Sequence, residues 1–165
     1  MKIIRSLLIM VIALLMLMTG CSGNTDKETS YISPERKATM QSEQIIKYFI
    51  DHDMDSLKNM FSDRVKKVHD LDREISKAFD YIEGEIISYD DPHGTESYKE
   101  SREGQGYTKR YLGGDIKDIE TSTGKIYLIS FSSIDIFQQD ESMVGISSIS
   151  VYNENFESVD IGESW

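Results

Sequence analysis

The chain has 165 residues, 39% of them hydrophobic, and a formal charge of −11, which suits one domain with a modest core and not two. So acidic a balance, without a basic stripe, excludes nucleic acid as a partner and disfavours anionic lipid headgroups. Cys21 is the single cysteine, so disulfide frameworks and CxxC metal sites are excluded as well.

Lys2 and Arg5 precede an unbroken apolar run from Leu7 to Met18, the charged and apolar regions of an export signal. No second apolar stretch of spanning length follows, which excludes a multi-pass membrane protein. The run ends in LMTGC, residues 17–21, which resembles the lipobox of bacterial lipoproteins, with Met18 where Leu is usual. That resemblance implies a signal peptide over residues 1–20 and a Cys21 whose sulfur carries a diacylglycerol after cleavage. Palmitate-type acyl chains contribute about 0.8 kcal/mol per buried methylene, so two of them anchor stably. The expected location is the cell membrane, lipid-anchored and facing the extracytoplasmic side. Without Lys2 and Arg5 the charge falls from −11 to −13, which favours solubility and spacing from an anionic envelope.

Residues 21–32 form the lipidated cysteine and a flexible tether, since Ser22 to Ser30 contain no apolar side chain. The domain is placed at residues 33–165. Ser33-Pro34-Glu35 supplies an N-cap, a first-turn proline and a first-turn acid. Ala38, Ser42, Ile45-Ile46 and Phe49-Ile50 continue at helical spacing.

Next comes Asp51-His52-Asp53-Met54-Asp55-Ser56-Leu57-Lys58-Asn59-Met60-Phe61-Ser62-Asp63. Read as a calcium loop from Asp51, it lacks the glycine required at the sixth position and the glutamate at the twelfth, where Ser56 and Ser62 stand. Read as a helix junction, Asp53 or Asp55 caps one helix and Ser62 the next. Val65, Val68, Leu71, Ile75, Ala78-Phe79 and Ile82 predict further helix, kinked near His69-Asp70 and stopped at Gly84.

The period then changes to that of strands. Glu85 to Tyr89 is short and β-rich, Asp90 to Gly94 is a turn, and Thr95 to Gly106 reads as a mobile loop or frayed hairpin. A meander over residues 107–121, 125–137 and 143–152 completes the pattern, with Gly113-Gly114 predicting a bulge or bend. Helices first and a curved antiparallel sheet after them make an α+β domain.

This order, with Ile46, Phe49, Asp51, Asp53, Leu57, Phe61 and Ser62, resembles the NTF2-like (cystatin-like cone) superfamily. Asp53 to Ser62, Phe79 to Gly84 with Ser88-Tyr89, and Val144-Gly145-Ile146 resemble small Gram-positive lipoproteins carrying the DUF5104 domain. The resemblance implies N-terminal helices packed on a cone-shaped sheet, over roughly Ser33 to Tyr152. It brings no established activity with it.

Chemical candidates are few. His52, His69 and His93 are far apart and lack metal-site spacing, no glycine-rich phosphate loop precedes a helix, and no G-x-S-x-G turn occurs. No metal and no cofactor is expected. Some NTF2-like relatives hold an Asp or His as general base in a pocket between sheet and helices, which makes Asp135 a weak catalytic candidate if buried. Strand alternation instead points Asp135 to solvent. Phe79, Tyr81, Tyr89, Tyr127 and Phe131 are candidates to line a ligand pocket. The expected role is a non-catalytic binding module for a small ligand or a surface protein, with a homodimer competing for the sheet face. An isomerase or dehydratase with a pocket carboxylate, and a surface-masking or exclusion lipoprotein, are the alternatives.

Overall fold

The computed structural model describes residues 32–102 and 107–163 of the chain, and the residues from Ile32 onward belong to one compact unit. Residues 1–31, on which the expected export signal, Cys21 and nearly all of the expected tether fall, lie outside the described residues.

Four helices come first: α1 Pro34–Asp51, α2 Met54–Met60, α3 Asp63–Val68 and α4 Leu71–Tyr81. Each begins where a side chain accepts a hydrogen bond from a free N–H. Ser33 takes Arg36 N–H, Asp53 takes Ser56 N–H, Ser62 takes Val65 N–H and Asp70 takes Arg73 N–H. The acidic stretch is therefore a helix junction. Asp51 ends α1, His52 turns the chain with φ 49°, Asp53 caps α2, and Asp55 sits in its first turn. Leu57, Phe61 and Val65 drop from these short helices into the core.

Six strands follow: β1 Ile86–Ser88, β2 His93–Arg102, β3 Tyr107–Thr121, β4 Ile126–Phe137, β5 Gly145–Asn153 and β6 Ser158–Gly162. All pairings are antiparallel, in the order β1-β3-β4-β5-β6, and β2 shares an edge of β3 with β1. The stretch read as a loop or frayed hairpin is a strand up to Arg102, hydrogen-bonded to β3 from Asp115 to Tyr107; residues 103–106 lie outside the described ones. The strand β6, also unforeseen, buries Val159 and Ile161.

The bend in β3 is not at Gly113-Gly114, which pair in unbroken register with Ser132 and Phe131. The register with β4 slips instead between Arg110 and Tyr111 and again at Lys117-Asp118, where Asp118 adopts φ 47° and a bulge bends the strand. The glycines serve a close approach instead. A Cβ on Gly114 would sit 2.7 Å from Ser42 Oγ and 2.7 Å from Phe131 Cε1, and one on its cross-strand partner Gly94 would run into the backbone of Ala38 and Thr39. Here α1 lies directly on the sheet. Ser42 Oγ donates to the carbonyl of His93 at 2.8 Å and closes the seam.

One face of the sheet, covered by the helices, is filled by Leu112, Ile116, Ile129, Phe131, Ile149, Val151 and Ile161, all 5% exposed or less. The α4 helix is tied to β6 by Glu74, whose Oε2 accepts Gly162 N–H at 2.9 Å while Oε1 lies 3.2 Å from His69 Nδ1.

Gly94→Ala is expected to cost about 3 kcal/mol in urea unfolding, the upper end for overpacking, because the obstacle is helix backbone. Gly124→Asn, at an open turn position with φ +78° where a Cβ meets nothing, serves as the control. A loss below about 1 kcal/mol for Gly94→Ala would show that the helix does not sit on this seam.

Candidate functional site

Asp135 is not on the solvent face. Its side chain is 14% exposed and is gripped from two elements. Lys37 in the first turns of α1 donates to Oδ1 at 3.1 Å, and Arg110 on β3 donates through Nε to Oδ2 at 2.8 Å and also through Nη2. Parity along β4 explains the placement, because Tyr127, Ile129 and Phe131 are the inward positions and Asp135 shares their odd spacing. The expectation from strand alternation was the solvent side. Arg110 is itself only 12% exposed, so the pair is half-buried and each partner needs the other. A general base must offer a free lone pair to its substrate. Both oxygens of Asp135 already accept hydrogen bonds from cations, which a substrate would have to share.

The five aromatic candidates do not converge on one cavity. Phe79 packs edge-on against Phe49 and His52 with centroids at 5.1 and 5.2 Å, in a cleft of about 270 Å³ that Ile50, Ile82 and Glu85 also line. Tyr81 and Tyr127 meet at 6.1 Å in a separate corner with Glu83 and Lys125. Phe131 belongs to the core, and Tyr89 is 41% exposed beyond β1. Among the described residues, no group of three or more His, Cys, Asp or Glu side chains is arranged to hold a metal ion. None of the described helices is long and apolar enough to cross a membrane.

The Tyr81 corner is electrostatically distinct. Desolvation, then the nearby Glu157, raises the Tyr81 phenol above its ordinary 10.0, while the Glu83 hydrogen bond raises Lys125 above 10.5. Tyr81 Oη donates to the Glu157 carbonyl at 3.0 Å, and Tyr127 Oη accepts Glu83 N–H at 3.1 Å, so the corner joins the end of α4 to β4 and the β5–β6 turn.

The sequence did not single out the opposite, outer face of the sheet. In the middle of β4 and β5 the residues between the core positions Ile129, Phe131, Ile149 and Val151 are serines. The register sets Ser130 against Ser150 and Ser132 against Ser148, and β6 continues the row with Asp160 beside Ser150 and Ser158 beside Tyr152. Two grooves open here. One, about 280 Å³, runs over Ser130, Ser148, Ser150 and Tyr152 to Asp160, and the other, about 390 Å³, over Ser97, Tyr98, Tyr111 and Ser147. Both include Ser132, so they meet. The alternation Ser-Phe-Ser and Ser-Ile-Ser-Val was visible in the sequence, but the side-by-side placement needed the strand register.

Helices laid on one face of a bent antiparallel sheet, with a hydroxyl-lined opposite face, define an α+β domain of two layers. Residues 44–154 match the family described as Domain of unknown function (DUF5104). That is about two thirds of the chain, and the protein belongs to this family. No curated protein matches it at a significant level.

Asp135→Ala strands Arg110 without a partner and is expected to cost about 2–3 kcal/mol of stability. The double variant Arg110→Met with Asp135→Leu should recover most of that, and equal losses in both would mean that the pair contributes nothing specific. Because both raised groups in the Tyr81 corner hold their protons more tightly in the fold, their contribution is intact below pH 10 and is lost as pH rises through the raised values. Absorbance of tyrosinate should accordingly show a late-titrating component that moves part of the way back in Glu157→Gln with Tyr127→Phe, the share due to desolvation remaining; unchanged titration would contradict the Coulombic coupling.

Proposed function

We propose that the protein is an exported lipoprotein, anchored through Cys21 on the extracytoplasmic side of the membrane, whose NTF2-like domain binds a ligand or partner without catalysis. The outer face of the sheet is its binding surface. The observation that carries this reading is the pair of adjoining grooves that share Ser132. The helix side of the sheet is filled with aliphatic side chains, so a binding surface is better supported outside the cone than within it. A bent sheet under a helical layer is what the cone architecture requires, and the Lys117-Asp118 bulge supplies the bend. For anchoring, the support is the order of Lys2, Arg5, the apolar run and LMTGC in the sequence.

The enzyme alternative is less well supported, since Asp135 is engaged by Lys37 and Arg110 rather than aimed into a closed apolar pocket.

Cys21→Ala is expected to move the protein out of the membrane fraction, and retention of the variant after carbonate washing would refute the anchor. Native mass spectrometry of the full chain from its host membrane is expected to show added mass from a bound component beyond the lipid. A bare monomer would count against binding.

A further inference from the structure

We propose that the outer face of the sheet is a track for an uncharged or amine-bearing polysaccharide strand lying across β2 to β6. This names the ligand class of the surface proposed above and rests on that reading. Five strands spaced about 4.8 Å apart give a track on the order of 19 Å across, longer than a single small molecule needs. Its middle is the two-by-two block of Ser130, Ser132, Ser148 and Ser150.

A serine hydroxyl both donates and accepts, so a row of them matches a ligand that presents both capacities at short intervals along its length. Among the described residues, the hydroxyl of Ser150 is committed, donating to Asp160 Oδ1 at 2.6 Å. The hydroxyls of Ser130, Ser132 and Ser148 have no such partner among the described residues. Polyhydroxylated rings meet that requirement.

Aromatic rings stand where such a strand would enter. Tyr98 is 58% exposed, and its ring lies 6.0 Å from that of Tyr111 with a tilt of 43°. The exposed ring offers an apolar, electron-rich face to the C–H face of a sugar and keeps its hydroxyl for water. A protein partner would call for an apolar centre with anchor residues. Of the exposed large hydrophobics, Ile50 and Val68 lie on the helices, Ile87 on β1, and Val144 and Phe156 in connections, while Ile126 stands apart at the start of β4.

Charge completes the choice. Asp160 and Glu163 stand at the β6 end, where Glu163 already pairs with Arg64 at 3.3 Å. At the other end Lys109 is drawn over the rings of Tyr111 and Phe137 at 4.7 and 4.5 Å. On a chain of net charge −11 this lining repels phosphate, sulfate and uronate polymers, and it accepts neutral sugars or an amine that pairs with Asp160.

The test is affinity electrophoresis of the full chain in detergent, through gels containing soluble β-glucan, glycol chitin, glycol chitosan or polygalacturonate. Retardation by at least one of the first three, weakened at least tenfold in both Tyr98→Ala and Ser132→Val, is the expected result. Asp160→Asn should weaken the chitosan interaction more than any neutral one. No retardation, retardation by polygalacturonate alone, or retardation untouched by both variants would overturn the proposal. If the gels are negative while native mass spectrometry shows another bound component or a second copy of the chain, the glycan assignment falls and the binding-module reading stands. If mass spectrometry shows nothing bound and the gels are negative, both fall.

Discussion

The architecture depends on a place where side chains are missing. Gly94 and Gly114 face each other across β2 and β3, and α1 rests on them through Ala38 and Ser42. With the helix seated so closely, its residues come into step with β4, because four residues of helix advance about 6 Å and two residues of strand about 6.7 Å. Lys37 therefore reaches Asp135, and Gln41, one turn on, meets Ser133 at 2.9 Å. The half-buried ion pairs and the buried hydroxyl are consequences of this match. A helix held farther off by a single methyl would leave Asp135 with Arg110 alone.

The same seating divides the sheet into two unlike faces. The helices exclude water from one side, which demands aliphatic residues at every second position of β3 to β6. The other side carries open grooves, with Ser148 sunk to 7% exposure within them, and there the chain places serine, where a surface strand would ordinarily carry β-branched or charged residues. Serine contributes little to strand propensity. The rows on β4 and β5 hold their form because the inward Phe131, Ile149 and Val151 supply the packing.

Legibility in the sequence followed the range of the interactions involved. Helix starts were readable because a cap and its recipient are three residues apart, as with Asp53 and Ser56 or Ser62 and Val65. The strand β2 was obscured because HGTESYKESR has no apolar alternation, and its place is set by main-chain pairing with β3 and by α1 against Gly94. Gly113-Gly114 announced an unusual backbone position, but sequence could not say whether it served a bend or a neighbour. For Asp135, alternation without a fixed starting face put the carboxylate outward, where parity counted from the inward Phe131 puts it inward. Its partners Lys37 and Arg110 lie 98 and 25 residues away, and only the tertiary fold brings them together.

A hydroxyl surface has a particular energetics of recognition. Each serine that leaves water for a ligand exchanges one hydrogen bond for another, a net gain of only about 0.5–1.5 kcal/mol. The three uncommitted hydroxyls on rigid central strands lose little entropy in doing so, because their positions are fixed by the core beneath them. Affinity for one repeat of a polymer is then modest, with the tyrosine rings contributing the larger single share. On the proposed lipid-anchored reading, weakness per site is compatible with firm holding, since several anchored copies that engage one long strand convert later contacts into local, high-concentration events. Such a surface would fail on short oligomers and succeed on long ones, which distinguishes it physically from a closed pocket that saturates with a single small ligand.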